Sequence, residues 1–292
     1  MILTANEVTA ALPVLDAITA LRSALEAGLD PEAGPPRTTA PLSAGHLLVM
    51  PAEWGRHAGV KVVSVAPGNV DLPRIQGHYL LLDAKTLAPL RILDGIALTA
   101  IRTAAVSALA VDALAPPGAA RLVVFGAGPQ AYRHVTALHA IRPVSEVIVV
   151  GRDPDRRQAL VSWCKEQGLA ARNGAPDDVA DADLVVCATT ARTPLFDGSA
   201  LPAQAVVVAV GSHEPDAAEL DRATMTRGPV VVEARSAALR EAGDVIQAGL
   251  GEDDLVDLAT LVRDGCPDAT VFKSVGMAWE DLVLAAHVHE SA

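Results

Sequence analysis

Aromatic residues make up only 3% of this 292-residue chain, so its core must be built from Ala, Val and Leu. Lysine is scarce as well, four residues against nineteen arginines. Positive charge is short overall. The formal net charge of −12 argues against a nucleic-acid or anionic-membrane surface. An anionic ligand would need a local cluster of cations. Cysteine is limited to Cys164, Cys187 and Cys266, odd in number, far apart and without metal-ligand spacing. They read as reduced thiols of a cytoplasmic protein. His134, His139, His287 and His289 fall in helical patterns without ligand spacing, so no metal site is expected. The N-terminal stretch has no basic n-region, and no apolar run reaches the ~18 residues of a membrane span. Neither a signal peptide nor a membrane partner is therefore expected. Apolar residues are plentiful at 51%, enough for one large or two ordinary domains.

The densest signal is RLVVFGAGPQA at 121–131. Residues 122–125 form an uninterrupted apolar run, as expected for a parallel strand buried on both faces. Gly126-Ala127-Gly128-Pro129-Gln130-Ala131 fits G-x-G-x-x-G/A. Gly126 permits a tight turn, Gly128 lets a pyrophosphate approach the backbone, and Ala131 lets the next helix pack on the strand. Pro129 suits a first helical turn, whose free N–H groups and dipole favour an anion. About three helical turns later a second apolar run follows at 147–150. Strand, glycine turn, helix and strand are the context a dinucleotide fingerprint requires; a glycine turn without cofactor is the alternative. A ribose-binding acid is expected ~20 residues beyond the glycines. Asp153 could serve there, or could cap the next helix. Arg152 suits a 2′-phosphate, which favours NADPH, with NADH possible.

Taken in order, TANE at 4–7 fits a capping box, and helical spacing runs through 8–27 with a break at Pro13 and a stop at Gly28. Residues 30–45 read as a loop carrying Arg37. Strands are expected at 47–50 and 59–64, and a hairpin at 79–83 and 88–93. A helix at 96–114 contains Arg102. Pro116-Pro117-Gly118 then marks the strongest boundary. Beyond the glycine turn, strands fit at 146–150, 183–188, 206–210 and 230–233, and helices at 129–141, 153–167, 216–226 and 235–247. This alternation predicts an α/β fold, a Rossmann-type doubly wound parallel sheet. A last helix, 276–289, lies beyond the strands that sheet needs and is expected to return to the first domain.

These residues resemble the ornithine cyclodeaminase/mu-crystallin family of nicotinamide-dependent proteins. The resemblance spans nearly the whole chain. It rests on Pro36-Arg37, Gly59-Val60-Lys61, Thr99 through Ala105, the glycine turn, Val210-Gly211-Ser212, Lys273-Ser274-Val275-Gly276 and Glu280-Asp281-Leu282. It implies a discontinuous α+β substrate and dimerisation domain, 1–115 plus 275–292, with the dinucleotide domain 116–274 inserted. It also implies a homodimer acting on a small anionic imino or amino acid.

Hydride transfer to a C=N bond beside a carboxylate needs the carboxylate held, the nitrogen protonated and the carbon placed ~3–3.5 Å from a nicotinamide. Arg102 lies mid-helix among Ala and Thr, out of place unless something anionic meets it; a bidentate grip on a carboxylate, an internal acid or a reach to solvent would each answer. Lys61 has apolar neighbours on both sides, and a desolvated lysine can donate a proton. The resemblance implies that Arg37, Lys61 and Arg102 bind substrate. At 213 the family's cyclodeaminases and alanine dehydrogenases carry an aspartate, whereas this chain has His213. Oxidising a free amine calls for a carboxylate base; reducing an imine does not. His213 therefore points to imine reduction, and is either a proton donor or a plain loop residue. Asp216 and Glu219 suit the first turn of a helix. Thr189, Gly211, Ser212, Lys273 and Val275 are expected, with Arg152 and the glycine turn, along the cofactor.

The expected activity is NAD(P)H-dependent reduction of cyclic 2-imino acids such as 1-pyrroline-2-carboxylate. An alanine dehydrogenase-like or cyclodeaminase activity, and a non-enzymatic NADPH-binding role, stay open at this level.

Overall fold

The computed structural model describes residues 2–73 and 75–291. The chain divides into two compact units, Met1–Val106 with Met277–Ala292, and Ser107–Gly276.

The first unit opens with β1 (Ile2–Leu3), α1 (Ala5–Ala11) and α2 (Val14–Glu26). Thr4 closes the capping box: its hydroxyl oxygen accepts from Glu7 N, and Glu7 accepts from Thr4 N at 2.8 Å. Pro13 separates the two helices, as its missing N–H requires. Strands β2 (Thr38–Leu42), β3 (Gly45–Trp54), β4 (His57–Val65), β5 (Ile75–Asp83) and β6 (Pro89–Asp94) follow, and α3 (Gly95–Leu114) leaves the sheet. The sheet order is β1-β6-β5-β4-β3-β2. The segment expected as a loop at 30–45 thus contributes an edge strand, because β2 pairs with β3 through Thr38↔Val49 to Leu42↔Gly45. By length and composition α3 could cross a bilayer, although no continuous apolar run predicted it. It serves as a core helix, with residues 101–111 all buried.

The second unit alternates β7 (Arg121–Phe125), α4 (Pro129–Ile141), β8 (Glu146–Val150), α5 (Pro154–Glu166), β9 (Ala170–Asn173), β10 (Leu184–Cys187), β11 (Val206–Ala209), α6 (Arg222–Met225), β12 (Val230–Val232), α7 (Arg235–Glu241), α8 (Gly243–Ala248), β13 (Leu255–Asp257), α9 (Leu258–Asp264) and β14 (Val271–Lys273). The order β13-β12-β14-β11-β10-β7-β8-β9 is parallel throughout. The valine runs of β7, β8, β10, β11 and β12 are buried, as sheets covered on both faces demand.

Two helix expectations change. Only Arg222–Met225 is helical within 216–226, because the N–H groups of Glu219 and Leu220 bond to Asp244 Oδ1 at 2.7 and 2.8 Å instead of to earlier carbonyls. The stretch 235–247 breaks at Ala242. The backbone at 214–217 packs so closely on Gly243 that a side chain there would collide with the Ala217 carbonyl oxygen, and α7 and α8 meet at this contact. The final helix, α10 (Ala278–Glu290), packs on α2, β3, β4 and β5 of the first unit. The division between units falls inside α3, between Val106 and Ser107, upstream of Pro116-Pro117-Gly118.

Candidate active site

In the second unit the chain leaves β7 for β8 and β9 on one side, then crosses to β10 on the other. The switch point lies between β7 and β10, where the carboxyl ends of such sheets receive ligands. Gly126 follows β7 directly, with φ +105, and a Cβ there would collide with the Ala188 carbonyl oxygen after β10. Only glycine fits. Gly128 is the N-cap of α4, in extended conformation, and a Cβ on it would meet nothing within 4 Å. Open space, an uncapped helix start and Pro129 in the first turn suit a pyrophosphate. Ala127 and Gln130 are half-buried beside it. Arg152 is exposed in the loop after β8. Of the two roles open to Asp153, the helix cap is the one seen: it accepts from Asp155 N and Arg156 N at 3.0 and 3.1 Å.

Two buried carboxylates tie this edge of the sheet together. Glu219, fully buried, accepts from Thr189 N at 2.8 Å, Thr189 Oγ1 at 2.7 Å and Gly211 N at 2.7 Å. Its expected place in a helical first turn is wrong for the reason given above. Burial raises its pKa, against the pull of Lys273 and of its three donors. Lys273 is also fully buried; its Nζ donates to Ser212 O at 2.7 Å and pairs with Asp244 at 3.0 Å. The Gly211-Ser212 segment is therefore held by its N–H from one side and its carbonyl from the other. Ser212 Oγ donates to Ala217 O, and His213 stands exposed just beyond. Glu233, after β12, accepts from Ser274 Oγ, Val275 N (3.1 Å) and Gly276 N (3.0 Å). The ammonium of Lys273 and the N–H of Val275 thus make their bonds inside the fold, and the backbone at 273–276 is fixed by them.

The first unit brings Lys61 and Arg102 together. Along β4, Lys61 is 2% exposed and Val62 38%, so the lysine occupies the inward face. Its Nζ donates to Asp281 Oδ2 at 2.6 Å and Thr99 Oγ1 at 3.3 Å. Arg102 Nη1 donates to Glu280 Oε2 at 2.6 Å, and its Nε lies 3.7 Å from Asp281 Oδ1. Arg102 thus meets an internal acid, one of the partners its sequence position left open. Both acids sit in the first turn of α10, fully buried, where Glu280 Oε1 also accepts from Met277 N. Burial lowers the Lys61 pKa to about 8; Asp281 opposes that shift and Arg102 adds to it. Two cations and two carboxyl groups thus form one buried cluster. Arg37 is half-buried just before β2.

Glu219, Glu233, Asp244, Glu280 and Asp281 carry no ligand-facing role in the sequence reading, yet they hold Lys61, Arg102, Lys273 and the chain at 189, 211 and 274–276. For Glu280 and Asp281 the signal was present. Two acids amid Ala278, Trp279, Leu282, Val283 and Leu284 are as misplaced as Arg102 in α3.

A sequence model of the ornithine cyclodeaminase/mu-crystallin family matches residues 1–292. The chain belongs to this family. It is 35% identical over 267 residues to the ketimine reductase mu-crystallin of Mus musculus, covering 88% of this chain and 84% of that one. It is also 35% identical over 264 residues to the Delta(1)-pyrroline-2-carboxylate reductase of Bacillus thuringiensis subsp. konkukian, covering 84% and 81%. The structure of the Thermococcus litoralis Delta(1)-pyrroline-2-carboxylate reductase, in complex with NADH and L-proline, is similar over 100% of this chain and 97% of that one. The TM-score is 0.90 at 28% identity.

Proposed function

We propose that this chain is an NAD(P)H-dependent reductase of cyclic 2-imino acids, converting a ketimine carboxylate such as 1-pyrroline-2-carboxylate to the cyclic amino acid. The observation that carries the reading is the buried Lys61 and Arg102 pair, in a chain matched over most of its length by reductases of this substrate class. Bound NAD(P)H supplies the hydride that adds to the ring carbon of the C=N bond. Gly126, Ala127, Gly128, Pro129 and Gln130 would hold its pyrophosphate, and Thr189, Gly211 and Ser212 would flank it at the sheet edge. Arg152 favours the 2′-phosphate of NADPH.

Arg102 and Arg37 clamp the substrate carboxylate, and a guanidinium does so with two parallel hydrogen bonds. Lys61 donates a proton to the imine nitrogen as the C=N electron pair moves onto it, and recovers that proton from water. His213 is a second, exposed proton source. The homodimer expectation is supported by the exposed apolar side chains Leu42, Val62 and Ile75 of the six-stranded sheet.

The test is NAD(P)H oxidation against pyrroline-, piperideine- and thiazoline-type carboxylates, with pyruvate plus ammonia and with ornithine as comparators. Turnover of a cyclic ketimine well above the comparators supports the reading. Steady oxidation with pyruvate and ammonia alone, or proline formed from ornithine, contradicts it.

A further inference from the structure

Lys61 is the least solvated cation of the proposed substrate cluster, and the groups facing it come from three elements. From α10 come Asp281 and Glu280, from α3 come Arg102 and the hydroxyl of Thr99, and from β5 comes Tyr79, its partner in register. On β3 the partner in register is the apolar Met50. An ammonium has three N–H donors. Asp281 takes one at 2.6 Å and Thr99 another at 3.3 Å, which leaves one for a ligand. Those two contacts fix where the third N–H points, because three donors on one nitrogen share a tetrahedral geometry. On its other side Asp281 Oδ1 faces Arg102 Nε at 3.7 Å, an ion pair beyond hydrogen-bond distance.

We propose that Asp281 is a positioning residue for the reduction: it aims the free N–H of Lys61 at the imine nitrogen and keeps that ammonium charged beside Arg102. In this role Asp281 acts through Lys61, to which it is bonded at 2.6 Å. The inference rests on the proposed substrate role of Lys61. It goes beyond that role in naming what sustains it. Without the carboxylate, burial and the adjacent guanidinium both act against the charge on Lys61. The lysine then loses its proton at lower pH, and the proton donor disappears from the neutral range.

The experiment is the pH profile of kcat/KM for a cyclic ketimine, at saturating NAD(P)H, for the intact chain, Lys61→Met, Asp281→Asn and Asp281→Glu. Substrate titration is common to all four, so differences between profiles report the protein. In Asp281→Asn the alkaline limb should move down by about one pH unit or more, with kcat/KM at pH 8 reduced about fivefold or more and most of it regained near pH 6. Asp281→Glu keeps the charge and displaces the oxygen by one methylene. It should retain the alkaline limb and lose kcat rather than KM. If Asp281→Asn does not fold, Asp281→Glu still decides: unchanged kcat and limb would overturn the proposal. A folded Asp281→Asn enzyme with an unmoved limb overturns it too. Lys61→Met with undiminished kcat/KM would instead overturn the parent assignment of Lys61, a distinct failure read from a separate variant.

Discussion

Arg102 and Glu280 form a buried pair with Nη1 and Oε2 2.6 Å apart, one side chain from α3 and the other from α10. Removing either partner alone strands a charge in the interior, at a cost of about 3–5 kcal/mol. Arg102→Met should therefore lower Tm sharply, and adding Glu280→Gln should restore most of it. Activity should not return with stability. Both variants should lose about 100-fold or more in kcat/KM for the ketimine while NAD(P)H affinity stays within about twofold. Calorimetry with steady-state kinetics separates the two effects. Recovered activity in the double variant would remove Arg102 from the substrate site.

Glu219 joins the loops after β10 and β11 through Thr189 and Gly211. Glu219→Gln keeps the shape but presents an amide NH2 where a second acceptor is needed, leaving a buried N–H opposite a donor. The change should cost about 1–3 kcal/mol of stability and weaken NAD(P)H binding. Cofactor fluorescence titration and urea unfolding measure both. Unchanged cofactor affinity would show that these loops do not contact the dinucleotide.

Gly126 and Gly128 should respond differently to the same substitution. Gly126→Ala places a Cβ against the Ala188 carbonyl oxygen at a positive φ, so stability should fall. Gly128→Ala meets nothing within 4 Å and should leave Tm nearly unchanged. Its methyl group stands where a pyrophosphate would approach, so NAD(P)H affinity should fall about tenfold or more. A thermal melt with a binding titration on each variant tests the contrast.

His134 is fully buried in α4, with Nδ1 2.8 Å from Gln130 O and Nε2 3.0 Å from Ser107 Oγ. Since a carbonyl only accepts, Nδ1 carries the hydrogen and Nε2 accepts from Ser107. Burial pulls the pKa down to about 4. Between that value and the unfolded value of ~6.5 the unfolded chain binds the extra proton, so stability falls as pH drops through this window. From pH 7 to 5 the loss from this residue is about 2 kcal/mol. Urea unfolding at the two pH values should show a smaller loss for His134→Gln than for the intact chain.

The parallel sheet was legible because its strands are buried on both faces, so 122–125, 146–150, 206–209 and 230–232 stand out as valine runs. The edge strand β9 and the short β13 and β14 carry no such run, and their pairing follows only from the sheet they complete. Arg102 and Lys61 were visible as charges in apolar surroundings. Glu280 and Asp281 stood out in the same way, but the pairing did not, since Asp281 lies 220 positions from Lys61 and no local pattern encodes that distance. Glu219 was misread because a helix start and a buried clasp on two backbone N–H groups ask for the same residue type. The broken helix at Ala242 was hidden for a similar reason. What interrupts it is the backbone at 214–217 pressed against Gly243, a tertiary contact that helical spacing in 235–247 cannot announce.

The central claim is direct hydride transfer to the carbon of a cyclic C=N bond, and isotope transfer tests it most directly. The chain is incubated with 1-pyrroline-2-carboxylate and NADPH deuterated at C4 on one face, then on the other, and the product is examined by mass spectrometry and NMR. The account predicts one deuterium at C2 of the cyclic amino acid with one of the two labelled cofactors. NADPH that binds tightly while no deuterium reaches any imino acid would contradict it.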